Sequence, residues 1–361
     1  MNFTKLLLAF SFVGLPFLSQ AQKYSNEFLS IGVGAQAQAL GNSVAASTDD
    51  VYATYWNPAG LAHLNSDVGL QIGAMHSEWF AGVGKFDFIG LALPSANGKR
   101  RLGLSFTRFG VDNIPNTIQL YDAEGRINYD NVFEFSAADY AFLGTYAQKM
   151  NVKKGELTVG GNIKVIRRII GSFADAWGFG LDLGMQYRVN KLRVGLTARD
   201  VTSTYNAWKT NFSEEDKAVL LATGNELPAR SSTEITNPSV LLGVGYRFGF
   251  GEKVTLTPEL NAHFTTDGRR NTLVSGDPIS IDPSAGLELG YNEFIYLRAG
   301  VNQFQKEKDF DDSESLIYRP SLGVGLRISS LNVDYAYTDV GDGQNKFSHV
   351  ISLKLSLKPK G

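Results

Sequence analysis

The chain's four histidines, His63, His76, His263 and His349, stand far apart, and none falls in a His-Glu-x-x-His or comparable ligand spacing. A metal site needs several donors converging on one point, so this spread predicts none. Cysteine is absent, which removes disulfides, thiolate ligands and a cysteine nucleophile. There is no GxSxG elbow and no GxxxxGK phosphate loop. Gly32-Val33-Gly34-Ala35-Gln36-Ala37 loosely fits a dinucleotide fingerprint, but no strand precedes it, so chance composition is the expectation. The run KEKDFDDSES at 306–315 lacks the glycine and closing glutamate of a calcium loop and reads as a solvated loop. His263 shares alternate positions with Glu259 and Asn261, and a satisfied polar cluster is expected there rather than a catalyst. The sequence therefore predicts no enzyme and no cofactor.

The elements that would carry such residues are strands. From about residue 66 onward, apolar residues occupy every second position in runs that end at turns. In 177–189, Trp177, Phe179, Leu181, Leu183, Met185 and Tyr187 alternate with Gly178, Gly180, Asp182, Gly184, Gln186 and Arg188, the period-2 pattern of a strand with one apolar face. Fourteen such runs are expected, at 66–76, 81–93, 101–110, 139–150, 155–168, 174–189, 191–201, 237–249, 253–264, 282–291, 293–303, 318–328, 331–339 and 347–357. They are longer than typical soluble strands and suit a tilted crossing of a bilayer. The connections alternate. Tight ones fall at SANGKR, NVKKG, Val189-Asn190-Lys191, GFGEK, Tyr291-Asn292 and Ser329-Ser330, and most of the long ones at 111–138, 202–236, 265–281 and 304–317. Short turns on one side and long loops on the other mark an outer-membrane barrel. The fold class expected is thus all-β, a fourteen-stranded antiparallel transmembrane barrel.

A lipid-facing charge at mid-depth costs about 2–4 kcal/mol, so the polar phase of each strand is assigned to the lumen. Asp182, Arg193, Arg199, Arg247, Glu259, Glu288, Arg298, Arg327, Asp334 and Lys354 then point inward as paired networks, and Trp177, Tyr187, Tyr291, Tyr335 and Tyr337 form the interfacial girdle. In the loop 202–236, Ser213 is placed to cap a short helix that Gly224 ends, with Leu220 and Leu221 free to pack.

Lys5, the apolar run Leu6 to Phe17 and the small residues of Ser19-Gln20-Ala21 form a secretory leader over 1–21. No later stretch approaches the roughly 18 apolar residues a spanning helix needs. The net charge of -2 gives no general attraction to nucleic acid. Residues 22–65 do not alternate. They are rich in Gly, Ala and Ser and run through Thr48-Asp49-Asp50 to YWNPAGLAHL. Thr48 is placed to cap a short helix that must end at Asn57, because a residue before proline avoids helical geometry. A fourteen-stranded barrel is too wide for its own side chains to fill, and this segment suits an inner hatch. The division expected is therefore leader 1–21, hatch 22–65 and barrel 66–361. Gly103, Gly160 and Gly161 read as ordinary strand glycines near that hatch.

The run QALGNSVAASTDDVYATYWNPAGLA, with the strand count, resembles the PorV/PorQ family of Bacteroidota outer-membrane proteins, itself similar to FadL fatty-acid channels. The pattern covers nearly all of the chain after the leader, although only the hatch motif is specific. The resemblance implies a hatch motif at Asp49, Asp50, Trp56, Asn57, Pro58, Ala59 and Gly60. It also implies an accessory role in type IX secretion, with a translocon and the C-terminal sorting domains of cargo as partners beside outer-membrane lipid. Loops 111–138 and 202–236 would dock cargo, with Phe109, Trp208 and Phe212 as apolar anchors. The alternative is FadL-like transport of a hydrophobic small molecule, which predicts an apolar chamber beneath the loops.

Overall fold

The structure, a computed structural model, describes residues 25–80, 82–93, 98–121, 126–308, 313–339 and 347–358. The expected leader lies outside them. Seventeen strand segments follow in order: β1 Leu70–Trp79, β2 Gly84–Ala92, β3 Arg100–Asn116, β4 Phe133–Met150, β5 Glu156–Ile170, β6 Ala174–Val189, β7 Leu192–Arg199, β8 Thr204–Thr210, β9 Ser231–Thr236, β10 Ser239–Tyr246, β11 Phe248–Phe250, β12 Val254–Thr265, β13 Ser280–Tyr291, β14 Ile295–Lys308, β15 Glu314–Ile328, β16 Leu331–Asp339 and β17 Phe347–Leu357. Neighbours pair antiparallel, and β17 closes on β1 from Leu70↔Leu357 to Ser77↔Val350.

The seventeen segments make a fourteen-stranded ring, as expected. β8 continues β7 beyond a break at 200–203, β9 runs into β10 across Asn237-Pro238, and β11 continues β10 past Arg247. At the break, β6 pairs with β7 as far as Leu183↔Ala198 and with β8 from Phe179↔Tyr205. Asp200 and Ser203 there both take left-handed φ, 53° and 56°. The tight turns use the same region at Asn190, Asn292 and Ser329, the backbone that short hairpins need to match strand twist.

Several strands run further outward than the alternation predicted. Segments expected as loop at 111–116, 133–138, 204–210 and 231–236 are paired strand. At 111–115 and 133–138 side chains on both faces are half-buried or exposed, so the ladder persists without its sequence signature, whereas on β8 the inward Thr204 and Asn206 are fully buried. The expected loop helix is present as Glu214–Ala222, with Ser213 Oγ accepting from Asp216 N at 3.0 Å.

Sidedness is inverted relative to a soluble sheet. On β6, Trp177 (49%), Phe179 (62%) and Leu183 (56%) are exposed, whereas Asp182 (5%) and Gln186 (0%) are buried. Most strands follow the expected rule of polar side inward. It fails on β2, where Phe86 and Phe88 are buried inside and Lys85 and Asp87 face outward. The phase there is set by aromatic packing against Tyr52 and Phe109, which outweighs the expected polarity.

Residues 25–64 contact inward-facing positions around the ring. Val33, Leu40, Val51, Tyr52, Trp56 and Leu61 share a buried apolar cluster with wall residues from β1, β2, β4, β10, β16 and β17, among them Met75, Phe86, Leu241 and Val350.

Candidate functional site

The motif at 49–60 is built into this contact zone. Asn57 is fully buried, with extended backbone (φ -153°) imposed by the following proline. Its Oδ1 accepts from Ala59 N at 3.2 Å and caps the 3-10 turn Pro58–His63. Its Nδ2 donates to the Ala45 carbonyl at 2.9 Å and to the wall carbonyls of Met185 and Leu196 at 3.2 and 3.4 Å. Trp56 Nε1 donates to the Val33 carbonyl at 2.8 Å, and Thr197 Oγ1 of the wall donates to the Trp56 carbonyl at 3.1 Å.

The preceding helix differs from expectation. It spans only Ala53–Trp56, and Thr48 does not cap it. Asp50 starts the turn instead, with Oδ1 accepting from Tyr52 N at 2.9 Å, because the helix begins only at Ala53 and the Thr48 hydroxyl is too far upstream to reach its first amides. The paired acids divide between two wall cations: Asp49 reaches Arg188 at 3.2 Å, and Asp50 binds Lys354 of β17. Close approach is possible because the wall carries glycine where the segment presses on it. An added Cβ on Gly184 would stand 2.2 Å from Asn57 Oδ1, and one on Gly195 2.0 Å from the Ala45 carbonyl oxygen. Gly103 and Gly160 likewise face Thr54 and Pro58, whereas Gly161 does not touch the segment.

His63 ends the motif, with Nδ1 3.3 Å from Glu156 and Nε2 3.1 Å from Thr158 Oγ1. Burial, aided by the nearby Arg188 guanidinium, pushes it down to about 3. The neutral tautomer satisfies both contacts, with Nδ1–H donating to the carboxylate and Nε2 accepting from the threonine.

Two chambers flank the segment. On the side of the short turns lies a polar space of about 160 Å³ between Asp49, Asp50, Glu259, Glu288, Arg298 and Lys354. Arg298 bridges Glu288 and Asp334, each at 2.7 Å. Beneath the long loops lies an open cavity of about 720 Å³. Phe28, Ile31, Trp56, Trp79, Phe109 and Leu241 form its apolar side, and Asp282, His263, Arg270 and Arg319 are among its polar residues. Arg199 stands between the two characters, its guanidinium 5.3 Å from the Tyr55 ring and 5.6 Å from the Trp56 ring. Among the described residues, Arg199 Nη2, His263 Nε2 and Asp282 Oδ1 have no hydrogen-bond partner. Among the same residues, no group of acidic or histidine side chains is arranged to hold a metal ion.

The structure thus gathers the motif residues into one contact zone and disperses the three expected anchors. Phe109 lies in β3, 6.3 Å from Phe86, and faces the cavity. Trp208 sits in β8 under the Arg168 guanidinium at 5.0 Å, and Phe212 packs on Phe173 at 5.5 Å. The cavity residues Phe28, Trp79 and Leu241 were not anticipated. The reversed phase of KFDF at 85–88 is the signal that marks inward aromatics nearby.

No protein family matches the sequence, and no curated protein does. Solved structures match nearly the whole chain. The CymD monoaromatic hydrocarbon channel aligns at 15% identity over 91% of this chain and 98% of its own, with a TM-score of 0.56. The Ralstonia pickettii toluene transporter TbuX aligns at 12% over 90% and 98%, with a TM-score of 0.54. The Pseudomonas putida toluene transporter TodX aligns at 12% over the same shares, with a TM-score of 0.52. The chain therefore shares the barrel fold of these channels and transporters. That likeness and the apolar outer belt support an outer-membrane location.

Proposed function

We propose that this protein transports a hydrophobic small molecule across the outer membrane. The observation that carries the proposal is the cavity beneath the long loops, whose apolar side joins the N-terminal segment to the wall. Its volume of about 720 Å³ falls within the range of small-molecule sites, and its apolar side faces a larger set of polar and charged residues that includes Arg199, Arg270 and Asp282. Residues 1–21 would direct export, and 25–64 would act as the hatch that separates this chamber from the polar one below. Phe28, Trp56 and Trp79 supply the chamber that the transport alternative requires, and the fold relatives favour that alternative over an accessory role in secretion.

Uptake of radiolabelled toluene and of a medium-chain fatty acid, by cells lacking their own transporter for each, tests the proposal. Expression of the wild-type chain should accelerate entry of at least one compound. Leu241→Arg, which places a charge in the cavity wall, should remove that gain while the barrel still assembles. No acceleration by wild type, for either compound, would count against transport.

A second reading, docking of secreted cargo on the outer loops, is favoured by the exposure of Tyr121, Ile127 and Tyr129 on the β3–β4 connection. Recovery of exported proteins with a shared C-terminal domain, after mild-detergent purification of the tagged barrel, would support it.

A further inference from the structure

On β6 the outward positions run from Leu181 through Phe179 and Trp177 to Asp175, and on β8 from Tyr205 through Ala207 to Lys209. Phe179, Trp177 and Tyr205 are all exposed, as side chains that face lipid are. Tryptophan collects at the edge of the apolar band. Asp175 and Lys209, one outward step beyond Trp177 and Ala207 on their own strands, therefore stand at headgroup depth on the side of the long loops. Arg167 of β5 reaches the same zone, with its guanidinium 4.9 Å from the Trp177 ring.

Lys209 also forms one wall of a cleft of about 530 Å³. Phe212 follows it at the end of β8, Lys217 comes from the loop helix, and Leu227, Pro228 and Arg230 come from the chain leading into β9. Among the described residues, three cations line this cleft and no carboxylate does. The nearby acids are engaged elsewhere. Asp175 faces Lys209 across the ladder, but it holds the Arg167 guanidinium and accepts from Asn211 Nδ2 at 2.8 Å. Glu214 lies 2.6 Å from Lys217 with its side chain almost wholly in solvent. Lys209 and Arg230 form no salt bridge among the described residues.

We infer that this cleft holds a phosphate group of the phosphorylated glycolipid of the outer leaflet. Lysine and arginine bind phosphate oxygens through charge-assisted hydrogen bonds, and basic pockets beside a membrane take anionic headgroups. A free anion would need only the cations. Here the cations stand on an apolar column, Trp177, Phe179 and Tyr205, that continues down the lipid-facing wall, and the cleft itself has an apolar side in Phe212, Leu227 and Pro228. Charge above and acyl-chain surface below are the two halves of a lipid. The long loops mark the external side, which makes the adjoining leaflet the outer one. The site is separate from the cavity within the barrel: Trp208 turns inward under Arg168, whereas its neighbour Lys209 turns outward.

Native mass spectrometry of the delipidated barrel in nonionic detergent, titrated with diphosphorylated lipid A and with its dephosphorylated form, tests the inference. Wild type should bind the phosphorylated lipid at least about ten-fold more tightly. Lys209→Gln with Arg230→Gln should abolish that preference. Lys153→Gln with Lys154→Gln removes the same charge from exposed positions at a tight turn and should preserve it. All four side chains are exposed, and heat-shifted gel mobility checks that each variant folds. Equal binding of the two lipids by wild type would overturn the inference, whatever the variants do. So would a folded cleft variant that keeps the preference, or a turn variant that loses it. Displacement of the lipid by inorganic phosphate at matched concentration would also overturn it, by showing a site for a free anion.

Discussion

The side-chain nitrogen of Asn57 lies 2.9 Å from the carbonyl oxygen of Ala45, and 3.2 Å from that of Met185 in the barrel wall. One amide thus ties two parts of the N-terminal segment to β6. Asn57→Ala leaves the Met185 and Leu196 carbonyls without this donor and the Ala59 amide without its cap. A loss of about 1–3 kcal/mol is expected, appearing as a lower unfolding midpoint in detergent. Asn57→Asp should be worse, because it turns an acceptor toward carbonyl oxygens. Identical midpoints for wild type and both variants would remove Asn57 from its anchoring role.

Glycine in the wall makes a separate prediction about closure of the lumen. Gly184→Val and Gly195→Val insert atoms where Asn57 and Ala45 already lie, so the segment must move away from the wall. Planar-bilayer recordings should then show open-channel current that wild type lacks. Gly144, whose added Cβ would meet nothing within 4 Å, is the control, and Gly144→Ala should stay as quiet as wild type. Valine variants indistinguishable from that control would mean that the segment does not gate conduction.

The number of wall strands was legible because lipid on one side and the lumen on the other force alternation, as from Trp177 to Tyr187. The break at Asp200–Ser203 was not, since its two left-handed residues are not glycine and leave no mark in composition. The outer ends of β3, β4, β14 and β15 were also hidden, because water on both faces relaxes the pattern. The motif at Asn57-Pro58-Ala59 was visible, but its capping residue was misread. Thr48 has the right side chain, yet the helix starts only at Ala53, five residues on, and Thr48 is held upstream of it where Gln186, 138 positions away, donates to its carbonyl. The cavity was illegible for a similar reason: Phe28, Trp79 and Leu241 come together only when the ring closes.

His63 carries a pH dependence with a defined sign. Its folded value is depressed to about 3 from an ordinary 6.5, so between those values the unfolded chain binds more protons than the folded one. Stability is then fully present above about pH 6.5 and is lost as the pH falls toward 3. Unfolding midpoints measured from pH 7 to pH 5 should fall in wild type, and His63→Gln should flatten that slope. An unchanged slope in the variant would assign the pH response to other groups.

The pairing of Asp50 with Lys354 joins the N-terminal segment to the last strand, 304 positions apart. Both side chains are largely buried, at 12% and 9% exposure. Desolvation opposes such a pair, so the pair itself adds little, whereas removing one partner strands the other charge. Lys354→Met alone is expected to cost roughly 3–5 kcal/mol, and Asp50→Leu with Lys354→Met should recover much of that loss. A thermodynamic cycle over the two single variants and the double variant, read from unfolding midpoints in detergent, isolates the coupling. If the double variant shows the sum of the single losses, the two residues are not coupled. The last strand would then close the barrel without help from the N-terminal segment.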